Sequence, residues 1–163
     1  LQHQRAATIA EELANERGHA IEQLVVKPTL GNLVLWRSIY QTGDKFFVDA
    51  IRIGLLSDPI VYTGDSIKKF VMERDMNGLP PTSVLSTDIS RFTAFSAGVV
   101  AIQPEQPNVL IDVRYSNLPT TVSPLWALEM DLSNPDQHAQ YKLYRDSSKE
   151  TREKFISLLL GNH

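Results

Sequence analysis

Six charged residues stand inside stretches that are otherwise apolar and rich in β-formers: Arg37, Asp49, Arg52, Asp112, Arg114 and Glu129. Burying an ion is costly unless it finds hydrogen-bonding partners of opposite sign, so this placement predicts arginine–carboxylate contacts. Alternate residues of a strand share a face. Asp112 and Arg114 can therefore meet, whereas Asp49 and Arg52 cannot, and Arg52 must look to another strand. One chemistry open to such a set is recognition of an anionic or polar ligand, with Arg37, Arg52 and Arg114 as donors and Asp49 and Asp112 beside them. A structural ion-pair network or a solvated face produces the same pattern, and the network carries the greater prior weight.

Catalytic signatures are scarce. A hydrolytic zinc centre usually takes three protein ligands from His, Asp and Glu, and the sequence offers His3, His19, His138 and His163. None falls in a His-Glu-x-x-His or His-x-His spacing. Asp136-Gln137-His138 is the one close carboxylate–imidazole pair, and a solvated turn beside Pro135 accounts for it. There is no Gly-x-Ser-x-Gly elbow and no Gly-x-x-x-x-Gly-Lys loop. With no cysteine, disulfides, thiolate metal sites and a cysteine nucleophile are excluded. The expectation is no catalytic residue, no metal ligand and no cofactor within this stretch.

Trp36, Tyr40, Phe46, Phe47, Tyr115 and Trp126 occur in β-rich segments, where aromatic side chains serve packing. Base-stacking platforms use such residues too, but in basic surroundings. A net charge of −3 gives no such field, so nucleic acid is not expected as a partner. Trp126, two residues after Pro124, would make an interface anchor if partly exposed.

At 163 residues, with 42% apolar and 21% charged side chains, the composition is that of a globular domain with a real core. Apolar runs are only a few residues long, against roughly 20 for a membrane span, and no signal-peptide pattern opens the chain. The start at Leu1 rather than Met is consistent with an excised domain and equally with a trimmed terminus.

The elements that must position these residues follow from periodicity. Ala6, Ile9, Ala10, Leu13 and Ala14 form one stripe of a helix over 1–18, closed by Gly18. Residues 32–40 and 45–53 make a hairpin across Thr42-Gly43-Asp44, with Trp36 opposite Ile51, Val34 opposite Ile53 and Tyr40 opposite Phe47. A strand over 23–27 stops at Pro28. A short helix is expected over 66–74, and a second one, capped by Asp88, carries Ile89, Phe92 and Phe95. Strands over 99–103 and 109–115 flank a loop at 104–108, and strands over 125–132 and 140–145 make a further pair. Ser147 and Glu150 form a capping box for a last helix that buries Phe155, Ile156, Leu159 and Leu160 before Gly161. Hairpins with an N-terminal, a middle and a C-terminal helix argue for an α+β fold on an antiparallel sheet, as a single domain over 19–163.

The block 26–40 with Phe46-Phe47-Val48-Asp49-Ala50-Ile51-Arg52, then Arg91-Phe92 with Phe95-Ser96, Ile111-Asp112-Val113-Arg114-Tyr115-Ser116 and Pro124-Leu125-Trp126-Ala127-Leu128-Glu129 resembles the soluble C-terminal region of the bacterial inner-membrane metal-dependent hydrolase family. The resemblance spans residues 19 to 129, and Arg17-Gly18-His19 is similar to an Arg-Gly-His step of that family. It implies a parent protein in the inner membrane, with a divalent metal held by His and Asp motifs of an N-terminal multi-helix region; the helix over 1–18, read first as an amphipathic helix docked on the sheet, is alternatively a connector to that region. That membrane region is then the domain's own partner. The side of the membrane stays open. The reading is a non-catalytic C-terminal domain of such a hydrolase; the alternatives are a small-molecule or peptide sensor with a strand-arginine pocket, and a dimerisation module forming a homo-oligomer.

Overall fold

The computed structural model describes residues 1–162. It has α+β architecture, with two four-stranded antiparallel sheets where the sequence reading expects one. Two compact units result: Leu1–Ile67, Ser116–Ser123 and the segment from Asp146 form the first, and Lys68–Tyr115 with Pro124–Arg145 the second.

In the first unit α1 (Gln2–Glu16) buries Ala6, Ala10 and Ala14 completely. Methyl-sized side chains let the helix lie close on Val26, Trp36, Ile51 and Ile53. It ends in a Schellman motif: Gly18 takes φ +73°, its N–H donates to Asn15 O, and His19 N–H donates to Ala14 O, both at 2.9 Å. Strands β1 (Gln23–Pro28), β2 (Leu35–Thr42), β3 (Lys45–Arg52) and β4 (Ile60–Lys68) lie in that order. The β2–β3 hairpin turns on Gly43-Asp44, pairs Trp36 with Ile51 and Tyr40 with Phe47, and Ile53 N–H donates to Val34 O, as the sequence predicts.

In the second unit β5 (Val100–Gln103), β6 (Gln106–Asp112), β7 (Trp126–Glu129) and β8 (Gln140–Leu143) form a meander in sequence order. A one-turn helix, α2 (Met72–Asp75), precedes α3 (Val84–Phe95). Leu85, Ile89 and Phe92, spaced i, i+4, i+7, sit fully buried on Val100, Leu110 and Leu128. The last helix, α4 (Lys149–Leu160), returns to the first unit and ends at Gly161 with φ +83°.

Several local expectations are corrected. The helix over 66–74 is absent because alternation wins there: Ile67 is buried between exposed Ser66 and Lys68, which keeps β4 extended, and only Met72–Asp75 turns. The middle helix starts earlier than Asp88, directly after Ser83, whose hydroxyl accepts from Ser86 N at 3.2 Å. The 104–108 loop shrinks to Pro104-Glu105, with Glu105 at φ +63°. The cap of α4 is Ser148, which accepts from Thr151 N, rather than Ser147. Its expected buried face is only half covered, with Ile156 and Leu160 exposed.

Candidate functional site

The embedded charges divide between the units, and those of the first unit turn to separate partners. Arg37, 4% exposed, donates from Nη1 to the carbonyls of Leu118, Pro119 and Thr121 at 3.2, 2.9 and 2.8 Å. Three carbonyl dipoles around one nitrogen compensate a cation that has left water. Asp49, 1% exposed, is gripped by Arg17 in a two-pronged contact of 2.8 and 2.9 Å and also accepts from Gly64 N at 3.2 Å. The Asp49 hydrogen bonds, chiefly, raise the Arg17 pKa further above its usual value. Arg17 also donates to Tyr40 Oη, and His19 Nδ1 lies 2.8 Å from the same oxygen. These contacts tie the end of α1 to the sheet, the hydrogen-bonding role expected for His19.

Arg52 was expected to find a carboxylate and meets none among the described residues. Its Nε donates to Leu159 O at 2.8 Å and its Nη1 approaches Ser57 Oγ at 3.4 Å. The last carbonyls of a helix carry partial negative charge, and that end of α4 satisfies the guanidinium instead.

In the second unit Arg114 and Asp112 meet as predicted. Nη2 and Nε donate to the two carboxylate oxygens at 2.8 and 3.0 Å, and Nη2 also donates to Phe95 O. Asp112 is fully buried, and its hydrogen bonds hold the Arg114 pKa above the usual value. Glu129 engages Tyr144; burial first, then this carboxylate, pushes the phenol above its usual range. Asp88, freed from capping, accepts from Ala139 N at 3.0 Å and from His138 Nδ1 at 2.9 Å.

What these interactions leave open is an apolar groove of about 300 Å³ in the second unit, between the end of α3 and strands β7 and β8. Phe95, Tyr115, Leu125, Trp126, Leu143 and Arg145 line it. Trp126 sits edge-on to Phe95 and Tyr115 at centroid distances of 5.1 and 6.2 Å, and the Arg114 guanidinium lies 5.3 Å from the Tyr115 ring. The indole Nε1 is buried without a hydrogen-bond acceptor. Phe95 and Leu143 are 61% and 71% exposed. A second, smaller hollow of about 230 Å³ follows along α3 and β8, with Arg91, Leu128, His138 and Tyr141 in its wall. Trp126 was legible as an anchor, but not the neighbours that make a groove of it: α3 and β8 lie far apart in sequence.

Among the described residues no group of three or more His, Asp or Glu is placed to hold a metal ion, and no helix is long and apolar enough to cross a membrane. His163 lies outside the described residues. No family model, curated protein or solved structure matches the chain.

Proposed function

We propose that this chain is a non-catalytic recognition domain that holds a polypeptide in the Trp126 groove. Following the family resemblance, its parent is an inner-membrane metal-dependent hydrolase whose divalent metal is bound by the N-terminal membrane region. The observation that carries the recognition reading is the exposure of Phe95 and Leu143 around a half-buried indole whose Nε1 is buried without an acceptor. Aromatic anchors in a partly desolvated concavity are where binding energy concentrates. A strand-arginine sensor pocket has less support, since Arg37, Arg52 and Arg114 already donate to the chain's own carbonyls and carboxylates.

The test uses Trp36→Phe, which leaves Trp126 as the one tryptophan of two. Its emission is titrated with a synthetic peptide library, while ester and phosphoester turnover is followed with added zinc or manganese. A blue shift with a subset of peptides and no turnover is expected. Turnover by the chain alone, or emission that no peptide moves, refutes the proposal.

A further inference from the structure

The two edges of the second sheet are treated differently. At the β5 edge the carbonyl of Val100 accepts from Phe70 N at 2.9 Å, so the preceding segment covers it. At the β8 edge nothing comparable exists among the described residues. Tyr144 N–H donates to Leu125 O, and backbone groups alternate sides along an antiparallel ladder. Lys142 and Gln140 therefore turn towards β7, while Tyr141 and Leu143 point their N–H and C=O outward. The side chains of these same two residues stand 65% and 71% exposed, each in the wall of one of the two successive hollows beside α3. An unpaired edge with hollows at i and i+2 is the arrangement that takes up an added strand: main-chain bonds supply affinity and alternate side chains supply specificity.

Charge selects the occupant. Arg145 in the Trp126 groove and Lys142 on the opposite face of β8 have no acidic partner among the described residues, in a chain whose net charge is −3, whereas Arg91 shares its hollow with Asp88. A second copy is disfavoured. In the two-fold register that uses both outward residues of each copy, Tyr141 pairs with Leu143 and Lys142 lies directly opposite itself, a destabilising like-charge pair.

We infer that β8 binds an extended, acidic peptide segment by strand addition, with apolar side chains of the segment entering the Tyr141 and Leu143 hollows in turn and carboxylates on its other face meeting Lys142. This deepens the recognition reading and rests on it.

The probe is a synthetic peptide of about eight residues, within the usual strand length, alternating valine and glutamate, with a valine–lysine peptide of the same pattern as control. Binding to the full chain is measured by calorimetry and by amide hydrogen exchange. The glutamate peptide should slow exchange about tenfold or more at Tyr141 and Leu143 and leave Gln140 and Lys142, already bonded to β7, unchanged. N-methylation along the peptide should abolish binding at every second residue only, a result that leaves the protein itself untouched. Lys142→Glu should weaken the glutamate peptide about tenfold and strengthen the lysine peptide. Binding without the two-residue alternation, or a lysine peptide that binds the unaltered chain as tightly, overturns strand addition but leaves the recognition reading standing. A dimer that protects Tyr141 and Leu143 without peptide also overturns it. Failure of every peptide in the library to bind removes both.

Discussion

Gly64 in β4 should not tolerate even a methyl group. Its φ is not in the left-handed region, so backbone freedom is not what the position requires; space is. A Cβ there would lie inside van der Waals contact with the carbonyl oxygens of Thr120 and Val48, both main-chain atoms that no rotamer change can move aside. Gly64→Ala must therefore push segment 116–123 away from the sheet. Overpacking of this kind costs about 1–3 kcal/mol. The displacement also loosens the Asp65 N to Thr120 O and Val122 N to Asp65 Oδ2 bonds, worth about 1 kcal/mol each. A total loss of about 3–5 kcal/mol follows, a large share of the roughly 5–15 kcal/mol that stabilises a domain. Urea unfolding followed by Trp36 emission, in a Trp126→Phe background, reads the first unit. At a slope near 2 kcal/mol per molar, the midpoint should fall by about 1.5–2.5 M. Gly78→Ala is the control, since a Cβ there meets nothing within 4 Å. A Gly64→Ala midpoint within about 0.3 M of the control would refute the close approach.

Trp36, 3% exposed beneath α1, should cost roughly 3–5 kcal/mol when cut to Ala, and a loss below about 1 kcal/mol in urea unfolding followed by far-ultraviolet circular dichroism would show that this face is not core. For Asp112 and Arg114, a double-mutant cycle with Leu at each position should return coupling of at least about 1 kcal/mol; coupling near zero would mean the buried contact adds nothing. Asp146 accepts from Thr151 Oγ1 and Ser148 N, which holds its carboxyl below the ordinary value of 3.8. The sign follows: its contribution to α4 is complete above that value and is lost as pH falls through the lowered one. Helical signal at α4 should therefore fade only in strong acid, and an Asp146→Asn variant that keeps the same acid-sensitive step would contradict the assignment.

The hairpin 35–52 was readable to the register because its apolar alternation and its Gly-Asp turn agree. The Asp112–Arg114 contact was readable because two residues apart on an extended chain share a face. Neither condition helped Arg37, Asp49 or Arg52, whose partners are a loop carbonyl set, a helix-terminal arginine and the end of α4, all fixed by tertiary return of the chain. Arg17 itself stood in plain view before Gly18, yet an arginine after a helix reads as solvated until a buried carboxylate is known to face it. The groove escaped for a related reason. Phe92 and Phe95 share the stripe of α3, but only Phe92 is covered, and periodicity cannot tell which end of a stripe the sheet reaches.

The order in which segments alternate between the units bears on synthesis. Arg37 waits for carbonyls 81 to 84 residues downstream, and Arg52 for one 107 residues downstream. On a ribosome the β2–β3 hairpin can close at once, while the second unit's meander is made and paired before α4 exists. The first unit begun is thus the last to be finished, and through that interval Arg37, buried in the finished fold, and half-buried Arg52 have only water or borrowed acceptors to satisfy them. Stalled or truncated chains ending before residue 149 would leave Arg52 in that unfinished state, a vulnerability to proteolysis written into the chain's connectivity rather than into any single contact.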